Sequence, residues 1–193
     1  LAPDLYHGKV ADTIPEAEAL GSALDANYAQ AKAEIAQAVT HLGEQVGPEA
    51  ARNLAVVAFS LGAYYALDLA DADPEHIRSV VLFYGAAGDE FGSTSRAAYL
   101  GHFAENDEYE PAATVDSLEA SLKRAGRPVT FYRYPGVGHW FFEPDRPQSY
   151  DPAAAHLAMV GASSSATRTE TTVCPPTASP GRTTPTTSAP NMT

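Results

Sequence analysis

Ser60 has the residue type and the local pattern of a nucleophile at the end of a strand. It lies in Ala58–Phe59–Ser60–Leu61–Gly62, between a short apolar run and an Ala- and Leu-rich segment. A sharp strand-to-helix turn lifts its central side chain above a sheet and needs small residues two positions before and after it. Glycine is usual at both positions, and Ala58 departs from that by one methyl group. The pattern predicts a nucleophilic serine, with a structural N-cap serine as the alternative.

A serine hydroxyl attacks a carbonyl only when a base removes its proton. Asp107 follows the third predicted strand and His139 follows the fourth. This order of nucleophile, acid and histidine is the one expected on a parallel sheet. The sequence therefore predicts a Ser60–His139–Asp107 triad. The backbone N–H of Leu61, at a predicted helix N-terminus, would donate to an oxyanion.

Other histidines and acids compete for these roles. The remaining histidines are His7, His41, His76, His102 and His156. His102 is the strongest rival because it lies just before the end of a predicted strand. Asp89 and Glu90 follow the second strand and are the alternative acids. Asp107 is preferred because its strand directly precedes that of the histidine. A surface charge at Asp107 and a packed core histidine at His139 are the non-catalytic interpretations.

Helices and strands alternate over residues 1–160, which predicts a mostly parallel sheet with helices on both faces. After a strand end at Leu1–Tyr6, the predicted strands are Leu54–Phe59, Ile77–Tyr84, Ala98–Ala104 and Val129–Tyr134. The run Leu54–Phe59 is continuously apolar, as in a strand buried on both faces. The predicted helices are Leu24–Val46, Gly62–Ala72, one beginning at Pro111, and Pro152–Met159. The carboxyl ends of parallel strands share one sheet edge, which would bring the three candidate residues together.

Composition limits the other possibilities. Residues 161–193 contain 20 Thr, Ser and Pro residues out of 33, too polar to bury a core, so we expect a disordered tail after a domain of residues 1–160. The net charge of −12 argues against a nucleic-acid partner. No apolar run is long enough to suggest a membrane span, and no Cys/His spacing suggests a metal site.

Several short segments together resemble the dienelactone hydrolase family of α/β-hydrolases, over about residues 1–159. They are Ala2–Pro3–Asp4–Leu5–Tyr6, Phe59–Ser60–Leu61–Gly62, Phe83–Tyr84–Gly85, Asn106–Asp107, Tyr134–Pro135–Gly136 and Gly138–His139. The resemblance implies a compact α/β-hydrolase fold that cleaves small esters or lactones without a metal or organic cofactor, usually in the cytoplasm. It also implies Ser60, Asp107 and His139 as nucleophile, acid and base.

The sequence departs from the family pattern in three ways. Founding members use cysteine as nucleophile, whereas this chain has Ser60, which resembles a serine branch. No arginine lies near Ser60 in the sequence to bind a substrate carboxylate, which further weakens a dienelactone as substrate. The family's first strands, and the loop with the second oxyanion donor, are expected to precede residue 1, and its last helix to continue beyond Met159.

The expected reaction is hydrolysis of a small ester or lactone through an acyl-enzyme. Tyr6, Tyr109 and Trp140 flank the predicted strand ends and are expected to line the pocket, with core packing as an equal alternative. A thioesterase or acyltransferase on the same fold remains open. A non-catalytic fragment or binding scaffold also remains open, because loss of the first strands would expose a sheet edge. The sequence gives no oligomeric state.

Overall fold

A computed structural model of the chain describes residues 1–88 and 91–166. The elements follow in the order α1 (Ile14–Ala26), α2 (Tyr28–Val46), α3 (Pro48–Ala51), β1 (Leu54–Phe59), α4 (Leu61–Ala72), β2 (Ile77–Phe83), β3 (Ala98–Ala104), α5 (Ala112–Arg124), β4 (Val129–Tyr134) and α6 (Pro152–Ala166). The four predicted strands are therefore present, and only β2 ends one residue earlier than predicted.

The four strands form one parallel sheet in the order β1-β2-β3-β4. Alternate residues of β2 enter two separate cores, because successive side chains of a strand point to opposite faces. Val80 and Leu82 pack with α4 and α5 on one face. Val81 and Phe83 pack with α6 on the other. The prediction of a parallel α/β sheet with helices on both faces is confirmed.

The prediction that β1 is buried on both faces is wrong. β1 lies at the edge of the sheet and pairs only with β2 among the described strands. On one face Val57 is 56% exposed and Phe59 is 41% exposed, while Leu54 and Ala58 are buried on the other. A continuous apolar run cannot distinguish an edge strand with one open face from a central strand.

The strand end predicted at Leu1–Tyr6 is not a strand in the structure. The backbone turns over residues 5–8. The Asp4 carboxylate accepts hydrogen bonds from the N–H groups of Tyr6, at 3.1 Å, and Gly8, at 2.6 Å. Aspartate side chains stabilise turns in this way and compete with pairing in a sheet.

The helix predicted over Leu24–Val46 is two helices. Asn27 has the non-helical angles φ −112° and ψ 32° and separates α1 from α2. Its side-chain amide donates to the Ala23 carbonyl at 2.8 Å, taking an acceptor near the end of α1. The sequence signal for the start of α1 is the capping box of Thr13 and Glu16, which the apolar periodicity does not reveal.

The last helix is longer than predicted. α6 runs from Pro152 to Ala166 and so extends past Gly161, where the tail was expected to begin. Residues 162–166 are alanine and serine, which a helix tolerates, and no proline interrupts them. The rest of the predicted tail, residues 167–193, lies outside the described residues. No helix within residues 1–88 and 91–166 has the length and apolar character needed to cross a bilayer.

Candidate active site

Ser60 occupies a strained turn between β1 and α4. Its backbone angles are φ 48° and ψ −123°, a conformation that residues other than glycine rarely adopt. The Ser60 N–H donates to the Phe83 carbonyl at 3.0 Å, and its carbonyl accepts from the Ala63 N–H at 2.9 Å. These bonds fix the turn against β2 and the first turn of α4. The serine side chain is thereby held at the carboxyl edge of the sheet, where the sequence predicts the chemistry.

The structure brings the three predicted triad residues into one hydrogen-bonded chain. The Ser60 Oγ lies 3.0 Å from the His139 Nε2. The His139 Nδ1 lies 2.9 Å and 2.8 Å from the two carboxylate oxygens of Asp107. A carboxylate can only accept, so Nδ1 carries the proton and Nε2 is left to accept from the serine hydroxyl. The Asp107 and His139 side chains are 2% and 3% exposed, which excludes water from their contact.

Backbone donors hold Asp107 in this orientation. Its Oδ1 accepts from the N–H groups of Tyr109 and Glu110, both at 2.9 Å. The loop after β3 therefore holds the carboxylate through its backbone, separately from the contact with the imidazole. A carboxylate held in this way can orient a histidine and stabilise its cation.

Leu61 is the first residue of α4, directly after Ser60. N–H groups in the first turn of a helix point away from the helix and favour negative charge. The position agrees with the predicted oxyanion donor, and that role remains a proposal.

Aromatic side chains surround the imidazole. The ring centroids of Tyr84 and Tyr109 lie 4.8 Å and 5.0 Å from that of His139. Trp140 stands edge-on to His139 at 4.9 Å. The predicted pocket residues Tyr6, Tyr109 and Trp140 line one groove with Ser60 and His139. Its volume is about 1080 Å³, and it continues along β1, so only the part near Ser60 adjoins the three predicted triad residues.

No arginine is close to Ser60 in the sequence, but Arg146, from the loop after β4, lines the same groove. Its guanidinium lies 4.4 Å above the Trp140 ring. Its Nε donates to a Glu143 carboxylate oxygen at 2.8 Å, and the Tyr84 hydroxyl donates to the other oxygen at 2.8 Å. Burial raises the pKa of Tyr84, and the bond to Glu143 raises it further. Proximity in the sequence could not reveal this arginine, because the loop after β4 carries it back to the site.

The rival histidines are placed elsewhere. His102 is fully buried in β3, and its Nδ1 lies 2.8 Å from the Tyr134 hydroxyl. Burial lowers the pKa of His102 to about 4. His7 and His76 contact Glu34 and Asp73. The alternative acids, Asp89 and Glu90, lie outside the described residues.

Gly85 is a site residue that the sequence reasoning did not single out for its packing. A Cβ built on Gly85 would lie 2.3 Å from the Ser60 carbonyl oxygen and 2.8 Å from the Ala63 Cβ. By contrast, a Cβ on Gly62 would meet only the Ala58 Cβ, at 3.9 Å. Of these two glycines, Gly85 therefore makes the closer approach to its neighbours at the nucleophile turn. This crowding joins residues distant in the sequence, so the local pattern around Ser60 gives no signal of it.

A parallel α/β sheet with a serine turn and a histidine loop at its carboxyl edge defines the α/β-hydrolase class. The model for the Dienelactone hydrolase family matches residues 1–164, and the chain belongs to that family. No curated protein matches the chain. Within residues 1–88 and 91–166, no three His, Cys, Asp or Glu side chains are grouped to hold a metal ion.

Solved structures of this fold are similar to the chain at low sequence identity. A putative dienelactone hydrolase from Klebsiella pneumoniae is 20% identical, with a TM-score of 0.64, and the match covers 72% of this chain and 61% of that one. A dienelactone hydrolase-like promiscuous phosphotriesterase from metagenomic libraries is 18% identical, with a TM-score of 0.67, covering 78% and 67% respectively. The chain thus spans about two thirds of the length of these proteins, and identities this low establish the fold alone.

Proposed function

We propose that the chain carries the catalytic centre of a serine hydrolase that cleaves small esters or lactones. The observation that carries the proposal is the continuous contact from the Ser60 Oγ through the His139 ring to Asp107. Membership of the dienelactone hydrolase family supports the same reaction class. The aromatic groove over Ser60 suits a small, largely apolar substrate.

In the first half-reaction, the Ser60 Oγ bonds to the substrate carbonyl carbon as its proton passes to the His139 Nε2. The Leu61 N–H donates to the oxyanion that forms. The tetrahedral intermediate collapses, the bond to the leaving oxygen breaks, and His139 gives that oxygen the proton. The products of this step are an acyl-serine and an alcohol, or a ring-opened acyl chain if the substrate is a lactone.

In the second half-reaction, water attacks the acyl-serine and gives a proton to His139. The bond to the Ser60 Oγ breaks, the proton returns to that oxygen, and the acid leaves. Asp107 holds the His139 ring throughout and stabilises its cationic form, without itself taking the proton. The balance of atoms requires only the ester and water, so this mechanism calls for no cofactor.

The decisive experiment compares the wild-type protein with Ser60→Ala in turnover of p-nitrophenyl acetate and in labelling by a fluorophosphonate probe. Ser93→Ala is the matched control, because Ser93 is exposed and lies outside the groove. We expect labelling and turnover in the wild type and the control, and neither in Ser60→Ala. Equal rates in all three proteins would reject Ser60 as nucleophile.

The same probe separates the alternatives. A folded wild-type protein that takes no label would favour the non-catalytic scaffold. If Ser60 is labelled but acetyl esters turn over slowly, a panel of thioesters and of alcohol acceptors would distinguish a thioesterase or an acyltransferase from an esterase.

A further inference from the structure

Glu110 is a half-buried carboxylate beside the triad to which the proposed mechanism gives no role. One of its oxygens accepts the Ala86 N–H at 2.6 Å. Burial raises the pKa of Glu110, and the negative charge of Asp107 adds to this effect. The Ala86 N–H and the charge of His139 act in the opposite direction. The Glu110 carboxylate therefore has Ala86 as a hydrogen-bond partner and interacts electrostatically with Asp107 and His139.

The contacts of Glu110 join the loop that carries the acid to the connection behind the nucleophile. Its backbone N–H donates to the Asp107 Oδ1 at 2.9 Å, while its side chain binds Ala86. Ala86 directly follows Gly85, whose α-carbon packs against the Ser60 carbonyl so closely that a Cβ would not fit. A displacement of Glu110 would therefore be transmitted to Asp107 through the loop and to Ser60 through the β2–β3 connection.

We propose that Glu110 is a positioning residue for the triad, fastening the Asp107 loop to the segment that supports Ser60. The inference rests on the proposed function, since it assigns Glu110 a part in the same reaction. The titratable groups that pack on His139 are Asp107, Tyr84 and Tyr109, and Glu110 acts on the ring through Asp107.

Three variants test this role. Glu110→Gln removes the charge and keeps an oxygen that can accept the Ala86 N–H. Glu110→Ala removes both. Glu108→Gln is the matched control, since Glu108 is an exposed glutamate of the same loop and makes no hydrogen bond that holds Asp107 or Ala86 in the described structure.

The first measurement is the NMR signal of the His139 Nδ1 proton that is hydrogen-bonded to Asp107, which does not require turnover. In Glu110→Ala we expect this signal to shift and to exchange faster with water, because the loop that holds Asp107 loses its attachment to Ala86. Glu110→Gln keeps an acceptor for the Ala86 N–H and should resemble the wild type, as should Glu108→Gln. An unchanged signal in Glu110→Ala would overturn the positioning role.

The second measurement is kcat and KM, normalised to probe-labelled sites. We expect Glu110→Ala to lose roughly tenfold in kcat with little change in KM, because a small displacement of reacting groups slows the chemical step. Glu110→Gln should recover most of this loss through its remaining acceptor. A merely structural residue would lower Tm and leave the normalised kcat unchanged, and that result would refute the positioning role.

The two proposals fail separately. If the wild-type protein neither takes the probe nor turns over esters, the proposed function fails, while the NMR signal still decides whether Glu110 holds the contact between Asp107 and His139 in place. If the wild type is active and all three variants match it in both measurements, the function stands and the role of Glu110 is rejected.

Discussion

Replacing Gly85 with alanine should disable the site by adding one methyl group. The added Cβ would lie 2.3 Å from the Ser60 carbonyl oxygen and 2.9 Å from its carbonyl carbon. Ordinary van der Waals contact begins at 3.4 Å, so the backbone of Ser60 or of Gly85 must move by about 1 Å. The Ala63 Cβ, 2.8 Å away, closes one direction of escape. The movement therefore falls on the nucleophile turn or on the connection that supports it.

The magnitude follows from that displacement. A misplacement of about 1 Å costs roughly 10² in rate when reacting groups must be aligned. Overpacking a fitted contact also costs about 1–3 kcal/mol in the free energy of unfolding. We expect Gly85→Ala to react with a fluorophosphonate roughly 10²-fold more slowly than the wild type, measured as a second-order rate constant on folded protein. Its Tm should fall as well.

Gly88→Ala is the matched control, because none of the described atoms outside its own chain neighbours lies within 4 Å of a Cβ at Gly88. It should label at the wild-type rate. If Gly85→Ala labelled as fast as Gly88→Ala with an unchanged Tm, the close packing behind Ser60 would be irrelevant to reactivity and the reasoning would be wrong.

Two further predictions concern the acid and the buried histidine. Asp107→Asn should lower kcat by roughly 10⁴-fold with the Tm little changed, because an amide no longer fixes the tautomer that accepts from Ser60; wild-type kcat in this variant would remove Asp107 from the triad. Burial lowers the pKa of His102 to about 4, from 6.5, so between these values the unfolded chain takes up a proton that the folded chain does not. The contribution of neutral, buried His102 to the free energy of unfolding is fully present above about pH 6.5. It falls by roughly 3 kcal/mol in all as the pH drops to about 4. Urea unfolding at pH 7.5 and pH 4.5 should show this loss in the wild type and a smaller one in His102→Leu; equal losses would exclude His102 as its source.

The parts of the fold that the sequence predicted depend on local patterns. Short runs rich in apolar and aromatic residues mark β1 to β4, because each strand packs at least one of its faces against a core. Ser60, Asp107 and His139 could be selected because polar residues after such runs fall at one edge of a parallel sheet. The chemistry of these groups then predicted that the imidazole contacts the serine hydroxyl on one side and the carboxylate on the other.

What the sequence did not predict depends on contacts between distant segments. Arg146 reaches the groove because the loop after β4 folds back, and no local pattern encodes that path. Gly85 resembles any turn glycine until its distance to Ser60 is measured. The open face of β1 depends on what lies beside Val57 and Phe59, which an apolar run does not specify. Tertiary placement decides all of these features.

The backbone conformation around Ser60 implies a trade-off between the thermal stability of the protein and the reactivity of its serine. Three of the non-glycine residues with positive φ are Ser60, at 48°, Tyr84, at 36°, and Trp140, at 65°. Ser60 and Trp140 line the groove, and Tyr84 packs against the His139 ring. Each such residue raises the energy of the native chain by about 1–3 kcal/mol relative to a relaxed backbone. Selection for thermal stability alone would therefore favour glycine at these three positions. That replacement would remove the nucleophile and two of the aromatic rings that pack around His139. Substitutions meant to stabilise the protein should therefore be placed in the helices, far from the carboxyl edge of the sheet.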